Sequence, residues 1–409
     1  MDMESSPYTP NAGAVPPLIA GREDLEQRFS ALLSRVIQGR SEQSMIVTGL
    51  RGVGKTVLLE QFRKVAESRG WIVIDREINK HEDTDFRRSL AAWMQSAVLR
   101  LSPRDRWSDR IRTALGVIRS FSLSVDPDGR LSAGLDVQAS SGLGDQGVLQ
   151  QDVTDLFVSA GEAAKEHGKG IILLLDEIQF LTPFQLEALI AGLHKTTQRA
   201  LPVVLVGAGL PQIPELAGDA KSYAERMFVF PRIGNLAPDQ ARLALEGPAL
   251  AESVRWTSPA LDLAIAETQG FPYFLQELGY ACWLMGSDNT ITEGDVRCAL
   301  PQYEEKLDSS FFRVRLDRAT ELQRAYLRAM ADLGDQPQKA ADVAQALGRT
   351  SSQVGPTRAE LISMGLLYTP QHGFASFTVP QFDRFMRRVM PTFEVPPIQR
   401  RRDQAGPVK

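Results

Sequence analysis

Gly49-Leu50-Arg51-Gly52-Val53-Gly54-Lys55-Thr56 follows the spacing G-x-x-x-x-G-K-[ST], between an apolar run, Met45 to Thr48, and a helical pattern, Thr56 to Ser68. Such a segment must turn sharply from strand to helix while its amides converge on an anion. Glycines permit this because no Cβ stands between the backbone N–H groups and phosphate oxygens. The helix N-terminus adds partial positive charge at the same point. Gly49 to Val57 is therefore the expected phosphate-binding segment, with Lys55 reaching the β- and γ-phosphates of a nucleotide and the Thr56 hydroxyl holding Mg²⁺. A glycine-rich turn that binds nothing is the plain alternative, but it does not call for the lysine, the hydroxyl and both flanking elements in register.

Strand and helix patterns alternate around this segment. Leu25, Phe29, Leu32, Leu33 and Val36 predict a helix before it, and Trp71 to Asp75 a strand and Phe86 to Leu101 a helix after it. The alternation resumes with helix Val153 to Glu166, strand Ile171 to Asp176, helix Pro183 to Thr197 and strand Pro202 to Gly207. Buried strands alternating with amphipathic helices predict an α/β fold with a parallel sheet covered on both faces. Strand Ile171 to Asp176 ends in Asp176-Glu177, so Asp176 is placed to join the magnesium shell and Glu177 to polarise an attacking water. In between, residues 103–151 interrupt the alternation. Phe121 to Val125 and Leu131 to Val137 flank the turn sequence Asp126-Pro127-Asp128-Gly129, which predicts an inserted hairpin with a mobile Gly-rich exit, Ser140 to Gly147.

The ends differ in composition from the middle. Residues 1–17, with Pro7, Pro10, Pro16 and Pro17, read as a flexible leader. Beyond Phe230 the pattern is helical, with helices expected at Pro238 to Leu245, Pro259 to Gln269, Tyr273 to Met285 and Glu293 to Leu307. Three short helices and a hairpin across Ala319 to Met390 predict a winged helix-turn-helix, its third helix beginning around Pro356 and presenting Ser351, Ser352, Gln353, Thr357 and Arg358. The 409 residues carry a net charge of −4, which by itself disfavours coating nucleic acid by bulk charge. Residues 311–409 hold 15 basic and 9 acidic side chains, however, including Arg384, Arg387, Arg388 and Arg400-Arg401-Arg402. Duplex DNA is thus a candidate partner through residues 317–402, against the alternative of a solvated helix face and a loose tail. Cys282 and Cys298 lack metal-ligand or disulfide-framework spacing, and no apolar run approaches a membrane span, which together imply a cytoplasmic chain without a membrane partner.

The quoted motifs, with Gly21-Arg22-Glu23, Ser222 to Pro231 and Gly270-Phe271-Pro272, resemble the AAA+ P-loop ATPases, within them the initiator-like and STAND-related bacterial group. The resemblance covers roughly Leu18 to Met390 and implies an ATPase core over 18–232, a helical lid over 233–316, a winged helix over 317–391 and a basic tail over 392–409. It implies ATP and Mg²⁺ as cofactors, Ile19 to Arg22 near the adenine, Pro272 approaching the nucleotide from the lid, and Arg226 as an arginine finger. The residues themselves leave Glu23 open as a helix cap and Arg226 open as a partner of Glu225. Two departures stand out: Gly207-Ala208-Gly209 replaces the usual polar sensor, and no arginine matches the lid sensor near Gly270. They point to slow or partner-activated hydrolysis in a nucleotide-controlled switch, with an ATP-regulated DNA-binding protein and a protein-interaction scaffold as the alternatives. Self-association belongs to the same expectation.

Overall fold

The alternation closes into a five-stranded parallel sheet in the computed structural model, which describes every residue except 12, 80–81, 104–105, 124–136, 223, 288 and 398–409. Contacts divide the chain into two compact units, Met1–Leu300 and Pro301–Lys409. In chain order the first unit runs α1 (Glu23–Ile37), β1 (Ser44–Thr48), α2 (Lys55–Ser68), β2 (Ile72–Glu77), α3 (Asp83–Leu99), α4 (Asp109–Leu123), α5 (Leu149–Glu166), β3 (Ile171–Asp176), α6 (Pro183–Gln198) and β4 (Val203–Gly209). It continues with α7 (Ile213–Ala220), α8 (Ala224–Met227), β5 (Phe228–Val229), α9 (Pro238–Ala251), β6 (Arg255–Trp256), α10 (Ser258–Thr268), α11 (Pro272–Met285), β7 (Thr290–Ile291) and the start of α12 (Glu293–Lys306).

The sheet order is β2-β3-β4-β1-β5. Ile171 pairs with Ile72 on one side and Val203 on the other, and Met45 pairs with Val206 and Val229. Every residue of β3 is buried, which explains its unbroken aliphatic run: a strand covered on both faces has no solvent side to place polar residues on. Full burial of each Leu or Ile contributes roughly 1.5–3 kcal/mol. Because all strands are parallel, the loops after β1, β3 and β4 emerge at one edge, the usual position of a ligand crevice in such sheets.

Two expectations about mobile segments are corrected. Phe121–Leu123 are the last residues of helix α4, not a strand, because Ile111, Leu115, Ile118 and Phe121 recur at helical spacing and are all buried; the proposed turn Asp126–Gly129 lies outside the described residues. The Gly-rich exit is anchored rather than free. Ser140 N–H donates to Gly116 O at 3.2 Å, Gly144 N–H to Asp155 at 3.2 Å and Gln146 N–H to Asp152 at 2.9 Å. Asp152 is fully buried and also pairs with Arg87 at 2.8 Å.

The leader is also held. Tyr8 is buried, its hydroxyl donating to Leu245 O at 2.6 Å and accepting from Trp256 Nε1 at 2.8 Å, with Trp256 and Trp283 edge-on to its ring. Trp283 Nε1 donates to Asp2 O, the Met1 ammonium to Gly286 O, and Thr9 N–H to Gln276 Oε1. Low apolar content suggested disorder, but one aromatic side chain seated between two indoles suffices to tie the segment to α9, β6 and α11. Burial pushes the Tyr8 phenol far above its ordinary pKa, so it stays neutral. Tyr8→Phe leaves Trp256 Nε1 without its partner, takes the phenol bond from Leu245 O, and is expected to destabilise the first unit by about 1–3 kcal/mol. Urea unfolding followed by tryptophan fluorescence checks this, and an unchanged midpoint would mean the leader is not held through Tyr8.

The second unit follows α12 with a π-helical turn (Leu307–Phe312), α13 (Arg313–Leu316), α14 (Glu321–Leu333), β8 (Gln338–Lys339), α15 (Ala340–Ala346), α16 (Ser351–Ser363), β9 (Leu367–Tyr368), β10 (Phe374–Phe377) and α17 (Phe382–Val389). Its strands form an antiparallel sheet in the order β8-β10-β9. Phe312 stacks on Phe385 at 5.1 Å, so residues just after α12 pack with this unit. Helix α16 begins at Ser351, ahead of the expected start, and Pro356 lies inside it. Thr350 and Gln353 form a reciprocal capping box that starts the helix early, and Pro356 forgoes only the N–H that would reach back to Ser352. No described helix is long and apolar enough to cross a membrane.

Candidate phosphate and nucleotide site

β1 delivers the chain to the site at Gly49, where the phosphate loop begins. Gly52 and Gly54 adopt φ of 87° and 91°, a left-handed conformation that side-chain-bearing residues rarely take, and α2 starts immediately at Lys55. Lys55 is 6% exposed; its Nζ donates to Gly49 O at 3.0 Å and Leu50 O at 2.9 Å, which leaves one ammonium proton for a phosphate oxygen. Burial lowers the Lys55 pKa, opposed by the nearby Glu177 and Asp176 carboxylates. Arg51 Nε is buried without a hydrogen-bond partner among the described residues.

Thr56 and Asp176, 120 positions apart, meet directly, the Thr56 hydroxyl donating to Asp176 Oδ2 at 2.6 Å. Burial raises the Asp176 pKa, while the bonds from Thr56 and from the Glu177 N–H work against that rise. A hydroxyl and a carboxylate side by side are hard oxygen donors, and Mg²⁺ characteristically takes one or two such protein ligands alongside substrate phosphates. Thr56 and Asp176 are thus the residues that would hold Mg²⁺, which when bound neutralises charge on the phosphates.

Glu177 follows with φ 53° and ψ 37°, a strained backbone for a glutamate, held by its own N–H donating to Asp176 Oδ1 at 2.8 Å. Gln179, which pattern reasoning passed over, bonds the Glu177 carboxylate through Nε2. Its only signal in the sequence is a polar residue two positions beyond the acidic pair, where a short turn returns it to the same side.

Other expected residues arrive from outside the sheet. Arg22 Nη2 donates to Gly234 O at 2.8 Å and Val53 O at 3.4 Å, fastening the segment before α1 to the loop, and burial lowers its pKa. Pro272 opens α11, and its neighbours lie on the loop: Tyr273 N–H donates to Gly52 O at 3.2 Å, and a Cβ on Gly52 would come within 2.9 Å of the Phe271 ring. Phe271 and Tyr273 were not expected here. Neither was the leader, yet a Cβ at Gly13 would stand 3.8 Å from Thr56 Cγ2.

Arg226 is not brought to this site. It lies in α8 just before β5, where Gln43 Nε2 donates to its backbone carbonyl at 2.9 Å, beside the start of β1. Parallel pairing puts that point at the opposite end of β1 from the loop, roughly 20 Å away at about 3.3 Å per residue. Arg226 is exposed and forms no ion pair with Glu225 among the described residues, so within one chain it serves neither expected role. In the second unit, Thr357 is buried, and Arg358 donates to Phe374 O at 2.7 Å and to Thr369 Oγ1 at 3.2 Å. Arg387 and Arg388 pair with Asp383 and Asp308. Four of the side chains expected to face DNA therefore hold the unit together. Arg400-Arg401-Arg402 lie outside the described residues.

Residues 19–206 match the family model described as an AAA ATPase domain, and residues 309–386 match one described as a domain of unknown function (DUF8462). No curated protein matches the chain. Among solved structures, the Walker-type ATPase of Pyrococcus abyssi is similar at 16% identity and a TM-score of 0.51, over 90% of this chain and 96% of that one. The Aeropyrum pernix Orc1 protein, solved in complex with DNA, aligns at 16% identity and a TM-score of 0.43, over 91% of this chain and 94% of that one. Cdc6p from Pyrobaculum aerophilum aligns at 15% identity and 0.44, over 95% and 98%. The five-stranded parallel sheet agrees with the Pyrococcus abyssi match: the chain has the α/β fold of AAA+ P-loop NTPases, and its residues 19–206 are similar to the AAA ATPase domain family.

Proposed function

We propose that this chain binds ATP with Mg²⁺ and hydrolyses it slowly as a nucleotide-controlled switch. The meeting of Thr56, next to Lys55, with Asp176 carries the reading, because it joins a phosphate cradle to a magnesium ligand across 120 positions of sequence. Glu177 beside Asp176 is the base that polarises water, and Gly49 to Val57 with Arg22 and Pro272 enclose the nucleotide. The switch aspect is supported by the contact of Phe271 and Tyr273 with Gly52. A lid that rests directly on the phosphate loop gains or loses contacts when the loop grips phosphate, giving the nucleotide two states to discriminate. Mg²⁺-dependent ATP binding by calorimetry and phosphate release from purified protein test the reading; no ATP affinity would overturn it.

Arg226, exposed at the far end of the sheet, belongs in this reading only as a group offered to a second copy. Turnover per chain should then rise with protein concentration, by about the 10³-fold or more that such a finger supplies once chains associate. A flat dependence removes it from catalysis.

The charge of the C-terminal stretch favours a second reading, in which ATP sets affinity for duplex DNA through a winged helix over 317–391 and the tail to Arg402. Exposed Arg384, Ser351, Ser352 and Gln353, with the arginines of the tail, are its remaining candidate DNA contacts. Anisotropy titration with duplex DNA at two salt concentrations, with and without ATP, decides it. Binding that strengthens at low salt and changes with ATP supports it, and no binding at low salt excludes it.

A further inference from the structure

β4 ends in Gly207-Ala208-Gly209, with no polar side chain facing the site, yet a polar group stands there all the same. It comes from the neighbouring loop. The short turn Ile178–Phe180 after β3, closed by Phe180 N–H donating to Glu177 O at 3.0 Å, carries Gln179 back toward the end of β4, where its Oε1 accepts from Leu210 N–H at 3.2 Å. Its Nε2 donates to Glu177 Oε2. The amide has one orientation available. A backbone N–H only donates and an ionised carboxylate only accepts, so turning the amide over would spoil both contacts.

The glycines of β4 make room for this turn. A Cβ at Gly209 would stand 2.7 Å from Gln179 Oε1, and one at Gly207 would stand 2.8 Å from Ile178 Cδ1. A side chain at position 209 and the Gln179 bridge therefore exclude each other. The peptide that Gln179 holds is also tied on its other side. Gly209 O accepts from Gly49 N–H at 3.1 Å, and Gly49 is the first residue of the phosphate loop. One chain of hydrogen bonds thus runs from Gly49 through the Gly209–Leu210 peptide and the Gln179 amide to the Glu177 carboxylate. Each link polarises the next and restricts the position of its neighbour.

We propose that Gln179 is the positioning residue of this site: it orients the Glu177 carboxylate and links it, through the Gly209–Leu210 peptide, to the phosphate loop, in place of a side chain on β4. The assignment rests on the ATPase reading above. Both amide bonds of Gln179 are spent on Glu177 and Leu210, so its loss acts through Glu177 and leaves nucleotide binding alone. Gln179→Met keeps the length and removes both bonds. It is expected to hold ATP as tightly as wild type and to keep KM, while kcat falls by about tenfold or more, short of the roughly 10²–10⁴-fold that loss of a base costs.

An activity-independent readout accompanies this. In nucleotide-free protein, hydrogen exchange at the Leu210 amide should quicken in Gln179→Met, because its acceptor is gone. Gly209→Ala puts a methyl where Oε1 lies and should reproduce the kcat loss, and combining it with Gln179→Met should add little further, since both break one link. Gln179→Glu retains an acceptor for Leu210 but sets a carboxylate against Glu177; it should keep Leu210 protected and still lose kcat, which decides the matter if the methionine variant does not fold. In a wild-type protein that turns over, unchanged kcat in Gln179→Met or Gln179→Glu overturns the assignment, as does a fall in ATP affinity matching the fall in kcat. A wild type that releases no phosphate overturns the ATPase reading first and this assignment with it.

Discussion

Lys55→Ala should abolish measurable ATP binding. The ammonium is buried at the first position of α2, where the candidate phosphate loop ends. Truncating one partner of a buried charge pair typically costs about 2–5 kcal/mol, and at about 1.4 kcal/mol per decade that is some 30-fold to several thousand-fold in affinity. The substitution also strips Gly49 O and Leu50 O of a donor. Thermal unfolding should therefore accompany the titration, to separate a loop that has collapsed from one that has lost its charge. Calorimetry with ATP and Mg²⁺ is the direct measurement, and equal affinity for variant and wild type would remove Lys55 from the site.

Glu177→Gln should do the opposite: keep ATP and stop turnover. The strained backbone at 177 is held by the N–H bond to Asp176, which glutamine retains, so the shape of the loop is expected to survive. What disappears is the capacity to take up a proton from water. General-base contributions of this kind run to about 10²–10⁴-fold in rate. Phosphate release under single-turnover conditions, beside an unchanged binding isotherm, checks it. An unaltered rate would assign the base elsewhere.

The two substitutions differ in how much of their rationale was legible beforehand. Lys55 and Thr56 could be proposed as ligands from eight consecutive residues, because a strand-to-helix turn that gathers amides on phosphate is a local demand met by local residues. Asp176 and Glu177 were nearly as clear, because a strand buried on both faces announces itself as an unbroken aliphatic run and its end is marked by charge. The sheet itself followed from the same alternation. Arg226 was legible as a residue type and not as a location: only the parallel pairing of β5 with the start of β1 shows that it lies away from its own phosphate loop. Thr357 and Arg358 read as exposed on a recognition helix, whereas packing turned one inward and bent the other back to β10.

The leader and Gln179 mark the boundary most clearly. A run rich in proline carries no periodicity, so nothing local reveals that Tyr8 finds two indoles more than two hundred residues away. Gln179 looks like any polar turn residue until the end of β4 lies beside it, and Gly209 looks like a missing side chain until Oε1 is seen in its place. Residue order alone pointed to the candidate phosphate loop and the two carboxylates and gave the parallel sheet that the structure shows, since each depends on neighbours along the chain or on a period of two or 3.6. Which carboxylate is held by which amide, which arginine faces which site and whether a segment is tied down came from three-dimensional packing. Those outcomes depend on single contacts between residues far apart in the chain, and no local pattern encodes them.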